Sequence, residues 1–267
     1  MSQTIIFTDL DGTLLDHETY SFEKANEALR AIKSKEIPLV ICSSKTRAEI
    51  EKIRIKLGNT GPFISENGGG IFIPDGYFGA SEPNWEDAGG GCALIRLGAK
   101  YDDLRDAIVK LRSTGFYIRG FGDMAADEVA ELAGLDLADA ELAKLREFDE
   151  PFTFYGADKE SLRRAIEQLG LHHTMGRYHH ILGDSDKGKA VSILAGMYRR
   201  KFGDITTVGI GDSPNDVPML LAVDVPVVVQ QPDGKYHPEV EAPGIRHAGG
   251  IGPAGWNKAV LEIMSQR

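Results

Sequence analysis

The first clear signal along this chain is an apolar run, residues 4–9, that stops at a carboxylate and reads as a buried strand. A helix is expected next, with Ser21 as its N-cap and Phe22, Ala25, Leu29 and Ile32 along one face. Residues 37–42 repeat the strand pattern, broken at the start by Pro38. Thr46 and Glu49 have capping-box spacing and open a helix whose apolar face is Ile50, Ile53 and Leu57, ended by Gly58. Residues 63–65 and 71–73 are short strand patterns joined by a glycine-rich, hairpin-like turn, Glu66-Asn67-Gly68-Gly69-Gly70.

Residues 80–91, rich in Gly, Asn, Pro and acidic side chains, read as a linker. A second unit follows, with strands expected near 92–97, 116–119, 152–155 and 171–182 and helices near 102–113, 125–134, 137–145 and 158–169. The last third returns to the first pattern: a helix from Lys187, strands at 205–209 and 225–229, a short helix near 214–222 and a terminal helix from Pro253 through Trp256, Val260 and Ile263. Strand and helix alternate through most of the chain, which points to an α/β layer architecture.

Composition narrows the function classes. The net charge of −10 argues against a nucleic-acid partner. No apolar run approaches the ~18–20 residues of a membrane span, and the first strand lacks the basic flank of a signal peptide. The two cysteines, Cys42 and Cys92, fall in segments read as different units, which fits free thiols and a cytoplasmic location. An acidic protein that binds an anion must supply positive charge locally.

Two acidic clusters carry the chemistry. Asp9 and Asp11, in Asp9-Leu10-Asp11-Gly12-Thr13, follow a buried strand, where ligands bind in open α/β sheets. An Asp-Gly turn is the plainer reading of that pair alone. The second cluster, Gly211-Asp212-Ser213-Pro214-Asn215-Asp216, again follows a strand, and its plainer reading is a run of helix caps. Together they offer oxygen ligands of the kind Mg²⁺ takes: Asp9, Asp212 and a backbone carbonyl near Asp11, with Asp216 and Asn215 in support. Ser43 is placed after the second strand to bond a phosphate oxygen. Lys187 stands in the first turn of a helix, where the dipole disfavours a cation unless an anion is near.

Taken in chain order, from Asp9 through Ser43 and Lys187 to Asp212, these four segments resemble the motifs of the haloacid dehalogenase superfamily of phosphatases, and Glu66-Asn67-Gly68-Gly69 is similar to the turn that precedes an α/β cap in one of its branches. The resemblance implies a Rossmann-like parallel-sheet core with an inserted α+β cap: core residues 1–83 and 184–267, cap residues 84–183. Residues 41–46, 119–124, 128–132 and 255–257 further resemble the mannosyl-3-phosphoglycerate phosphatase family, whose product is the compatible solute mannosylglycerate. One stretch departs from it: residues 146–152 read Arg-Glu-Phe-Asp-Glu-Pro-Phe where Arg-Glu-Ser-Glu-Pro-Phe would be expected.

From the resemblance follow expected roles. Asp9 is the nucleophile that forms an aspartyl-phosphate, Asp11 the acid and base, Asp9, Asp11 and Asp212 the Mg²⁺ site, and Ser43, Ser44 and Lys187 the phosphate contacts, with Lys187 also restraining Asp9. Glu66, Asn67, Gly68 and Gly69 are expected near the substrate, and Arg119 and Arg177 are candidates for a substrate carboxylate. The histidines at 172, 173, 179 and 180 read as cap surface and packing, since strand neighbours point to opposite faces. The expected partner is a small phosphorylated sugar derivative, and the expected assembly a monomer or homodimer. Sister phosphatases for glucosyl-3-phosphoglycerate or a hexose phosphate, a sugar phosphomutase, and a sugar-phosphate-binding regulator remain alternatives at this point.

Overall fold

The computed structural model describes residues 2–79, 85–156, 158–240 and 244–266. The chain opens with β1 (Gln3–Thr8), α1 (Asn26–Ser34), β2 (Leu39–Cys42), α2 (Arg47–Leu57), β3 (Phe63–Ser65), β4 (Gly70–Pro74), β5 (Glu86–Asp87) and β6 (Cys92–Arg96). It continues through α3 (Tyr101–Ser113), β7 (Ile118–Gly120), α4 (Ala126–Ala133), α5 (Leu137–Ala143), β8 (Asp149–Phe154), α6 (Lys159–Gln168), β9 (His172–Met175) and β10 (His179–Leu182). It closes with α7 (Lys187–Phe202), β11 (Ile205–Gly211), α8 (Val217–Leu221), β12 (Val225–Gln230), β13 (Arg246–Ile251) and α9 (Pro253–Ser265).

Among the described residues the large sheet has nine strands in the order β13-β12-β11-β1-β2-β3-β4-β6-β5. The run from β13 to β3 is parallel, and β4, β6 and β5 extend it antiparallel. β1 is buried on both faces because its side chains alternate between two cores. Ile6 packs with Ile41, Val208 and Trp256; Ile5 and Phe7 pack with Val40, Val191, Leu194 and Val228. The order reverses at β1, with β2 on one side and β11 on the other, so a crevice opens at its carboxyl end. A second sheet, β7-β8-β10-β9, carries α3 and α6 on one face through Leu104, Ile108, Phe152, Leu162 and Ile181.

Several local expectations meet their physical counterpart. Thr46 and Glu49 form the reciprocal capping box, and Gly58 ends α2 at φ 61°. Pro253 stands in the first turn of α9, whose Trp256 is fully buried. Other expectations are corrected. The first helix begins as a 3-10 turn, Glu23–Ala25, and Ser21 only receives the Glu23 N–H rather than capping α1. The stretch 171–182 is two strands, not one, because Gly176, Arg177 and Tyr178 reverse the chain into a hairpin.

The strand expected at 92–97 as the start of the second unit is β6, and it is hydrogen-bonded to β4 in the large sheet. Cys42 and Cys92 therefore lie in the same sheet, both buried and free. The expected boundary between residues 83 and 84, and the first part of the linker, lie outside the described residues. No helix among the described residues is long and apolar enough to cross a membrane.

Candidate active site

Four parallel strands deliver side chains to one edge of the large sheet: Asp9 after β1, Ser43 after β2, Glu66 after β3 and Asp212 after β11. Asp9 is held there by its N–H bond to the Ile210 carbonyl at 3.0 Å. Its own carbonyl accepts the Thr8 hydroxyl at 2.7 Å, and the Trp256 indole N–H caps that hydroxyl at 3.0 Å. The terminal helix thus fixes the strand end that carries Asp9.

Lys187 reaches the site from the first turn of α7 and is fully buried. Its ammonium lies 2.7 Å from Asp9 Oδ1 and 2.6 Å from Asp216 Oδ1. Burial pulls this lysine down, but Asp216 and Asp9 more than reverse that, so it stays charged well above the ordinary lysine range. Asp216 is pinned in place: its Oδ2 accepts the N–H groups of Asp212 and Ser213 at 3.0 and 3.1 Å. It serves as a fixed counter-charge. Asp212 Oδ1 accepts the Thr13 hydroxyl at 3.0 Å, which ties the two acidic clusters together. Gly12, at φ 76°, lets the chain pass 3.0 Å from Asp212 Oδ2 at the point where a Cβ would stand.

Asp9, Asp212 and Asp216 bring carboxylate oxygens within 4.8 Å of one another. One lysine against three buried carboxylates leaves the cluster short of positive charge. Burial, and beyond it Asp216 and Asp212, push Asp9 well above the usual carboxylate range despite Lys187. Burial and then Asp216 push Asp212 up to about 7. Asp11 Oδ1 is buried without a partner among the described residues. An all-oxygen donor set with excess negative charge suits a hard divalent cation, and the Asp11 side chain is not one of the three that converge.

Asp11 Oδ2 faces Lys45, 3.0 Å away, and Lys45 also pairs with Glu49 at 3.3 Å. Above Asp11 a small hollow is lined by Ser44, Lys45, Arg146, Arg177, Tyr178 and His180, so the second unit roofs the site. Arg177 stands in this roof and its guanidinium donates to the Tyr20 hydroxyl at 3.2 Å. Arg119 is elsewhere. It lies exposed on an edge strand between buried Ile118 and Gly120, clamps Glu128, and lines a separate surface hollow with Tyr117 and Tyr155. The expectation that it meets the substrate is withdrawn for that reason.

The glycine-rich turn has a different occupation from the one expected. Glu66 is fully buried, and its carboxylate accepts the N–H groups of Glu147, Phe148 and Asp149 at 2.8–3.0 Å. Burial pushes it up to about 8, with Arg146 opposing. Asn67 donates to Asp149 Oδ2 at 2.8 Å and accepts from Asn215 Nδ2 at 3.0 Å. Gly68, at φ 92°, lies where any Cβ would run into the Asp186 carbonyl, and one at Gly69 would run into Phe148. Glu66, Asn67 and Gly69 thus pack into the joint between the two units, and Gly68 lies against the start of α7.

The sequence expectations missed Arg146, Asp149 and His180 as members of this network, and Ser44, expected at the phosphate, also takes part. Ser44 meets the second unit through its carbonyl, which accepts from Arg146 at 2.9 Å. Arg146 is buried and pairs with Asp149, and His180 reaches the same carboxylate at 3.1 Å. Arg146 and then His180 overcome burial and hold Asp149 down at about 2. His180 therefore belongs to this junction rather than to cap surface. His173 and His179 face each other at 2.8 Å beside Phe152, which agrees with packing. The signal was present in Arg146-Glu147-Phe148-Asp149, where two opposite charges at i and i+3 flank an apolar residue.

A family model described as haloacid dehalogenase-like hydrolase matches residues 6–78. A glucosyl-3-phosphoglycerate/mannosyl-3-phosphoglycerate phosphatase of Methanococcoides burtonii is 49% identical over 98% of this chain and 97% of that one. The chain belongs to this family of haloacid dehalogenase-like phosphatases. A mannosyl-3-phosphoglycerate phosphatase of Pyrococcus furiosus is 36% identical over 82% of this chain and 88% of its own. A solved structure from Thermoplasma acidophilum superposes with a TM-score of 0.71 at 18% identity, covering 99% of each chain, which shows the shared fold. The shared fold takes in both the sheet edge that carries Asp9 and the roof above it.

Proposed function

We propose that this chain hydrolyses the phosphate monoester of mannosyl-3-phosphoglycerate and of its glucosyl counterpart. It releases the hexosylglycerate and inorganic phosphate. The observation that supports the chemistry is the buried Asp9–Lys187–Asp216 arrangement beside Asp212, with Asp11 two residues on and turned toward the roof.

Asp9 attacks phosphorus and the ester oxygen leaves, giving an aspartyl-phosphate. Asp11 lines the hollow on the leaving-group side, so it donates the proton to the departing alkoxide and later takes one from the water that cleaves the aspartyl-phosphate. Lys187 draws Asp9 toward its charged form and holds it in place, and Ser43, buried at the end of β2, and the Ser44 backbone flank the phosphoryl oxygens. Mg²⁺ would be held by Asp9, Asp212 and the Asp11 backbone, with Asp216 and Asn215 bracing them. When bound it supplies the positive charge that lets three buried carboxylates face a phosphate. Arg177 reads the glycerate carboxylate from the roof.

We take the catalytic unit to be the large sheet with its helices and the cap to be the second sheet with α3 to α6. The pairing of β6 with β4 supports drawing the division after β6. The buried free thiols of Cys42 and Cys92 support a reducing, cytoplasmic setting. The test is a phosphate-release assay with added Mg²⁺ on mannosyl- and glucosyl-3-phosphoglycerate beside hexose 6-phosphates. Preference for the plain hexose phosphates rejects the substrate, and recovery of an isomerised sugar phosphate without free phosphate rejects hydrolysis.

A further inference from the structure

The hollow directly above Asp11 has a volume of about 70 Å³, too small for both a glycerate and a hexose. It adjoins a larger cleft of about 360 Å³, within the ~300–1,000 Å³ range of small-molecule sites. The two spaces share Tyr20, Lys45, Glu49 and Leu135 in their walls, so they lie side by side. One wall of the larger cleft is α2, through Lys52 and Ile53; the facing wall is the turn from Gly134 to Asp136 and the start of α5. An ion pair between Lys52 and Asp139 joins those walls.

Tyr20 stands where the two spaces meet, at φ 53°, in the left-handed region that a bulky residue adopts only at a cost. Its ring lies 5.1 Å from the Lys45 ammonium and its hydroxyl meets Arg177. The surroundings thus hold a strained aromatic residue at the joint between the reacting end and a cleft of mixed apolar and charged lining. A hexose presents C–H faces and a fringe of hydroxyls, which suits such a lining.

We infer that the hexosyl unit of the substrate occupies the cleft between α2 and the 134–139 segment, with Tyr20 turning the path from the glycerate into it. This rests on the functional reading above and adds to it the seat of the sugar. Glucose and mannose differ in one hydroxyl configuration. The charged groups offered here include lysine ammoniums on flexible stems, with rotatable donors that accommodate either epimer.

The test compares Lys52→Ala with Lys52→Trp. Both remove the ion pair, and only the indole fills the cleft. On the hexosyl-3-phosphoglycerates, Lys52→Trp should show kcat/KM lower than Lys52→Ala by about tenfold or more. On para-nitrophenyl phosphate, which has no sugar, the two variants should be equal. Equal values on the hexosyl substrates overturn the cleft assignment while phosphate release by the wild type keeps the functional reading. A loss specific to Lys52→Trp on both kinds of substrate also overturns it, since the indole then disturbs the reacting end. If the wild type releases no phosphate from either hexosyl substrate, the functional reading falls and the cleft assignment falls with it.

Discussion

Lys45 holds Asp11: its ammonium lies 3.0 Å from Asp11 Oδ2, on the side away from the orphaned Oδ1. Burial lowers this lysine, and Asp11 and Glu49 raise it further, so it remains charged and anchors Asp11 by charge as well as geometry. A graded series follows. Asp9→Asn should abolish turnover with the fold intact, because an amide does not attack phosphorus. Asp11→Asn should lose about 10²–10⁴-fold in kcat, the usual worth of a positioned acid–base group. Lys45→Met should fall between wild type and Asp11→Asn. Circular dichroism beside single-turnover rates checks the order, and an active Asp9→Asn variant refutes the covalent route.

The metal requirement should depend on pH. Without a cation the Asp212 carboxyl is pushed up to about 7 and Asp9 is raised too, so protons compete with Mg²⁺ at lower pH. The half-saturating Mg²⁺ concentration is expected to climb as pH falls below about 7 and to level off above it. Stability of the metal-free protein runs the opposite way. These carboxyls stay protonated in the folded chain after they ionise in the unfolded one, so stability declines as pH rises from about 4 to 7. Thermal melts with and without chelator across that window measure both effects, and a flat Mg²⁺ requirement would contradict the assignment.

The two arginines should separate. Arg177→Ala is expected to lower kcat/KM for mannosyl-3-phosphoglycerate by roughly 10–150-fold, the worth of about 1.5–3 kcal/mol in a charge-assisted contact. Its effect on para-nitrophenyl phosphate should be much smaller. Arg119→Ala should leave both substrates near wild type, because its partner is Glu128 and it is exposed. Equal losses for the two variants on the sugar substrate would remove Arg177 from the carboxylate role.

Arg146 joins the two units, so its loss should be felt as instability. Arg146→Ala removes the guanidinium that faces the fully buried Asp149, leaving that carboxylate only His180 and Asn67 as side-chain partners, and breaking such a buried pair costs about 3–5 kcal/mol. Urea unfolding monitored by Trp fluorescence gives the number. Asn67→Ala should destabilise less, since it removes neutral hydrogen bonds to Asp149 and Asn215. Stability unchanged in Arg146→Ala would show that the junction is open in solution.

By itself the sequence determined the α/β alternation, the carboxylates at two strand ends, the capping box at Thr46 and the ending of α2 at Gly58. Each depends on neighbours a few residues away, through side-chain period, backbone bonds or a left-handed turn, and such signals survive in one dimension. β13 escaped notice because Arg246, His247, Gly249 and Gly250 carry no apolar alternation, and its pairing with β12 supplies what the pattern lacks. Only the tertiary structure decided that β6 extends the large sheet, that Arg177 shares a hollow with Asp11 while Arg119 does not, and that Glu66 and Asn67 pack into the junction. Those outcomes hang on contacts across long stretches of chain. Asn67 meets Asp149 from 82 residues away and Asn215 from 148. A buried carboxylate finds its donors wherever packing brings them, and the local sequence around Glu66 holds no record of which backbone will arrive.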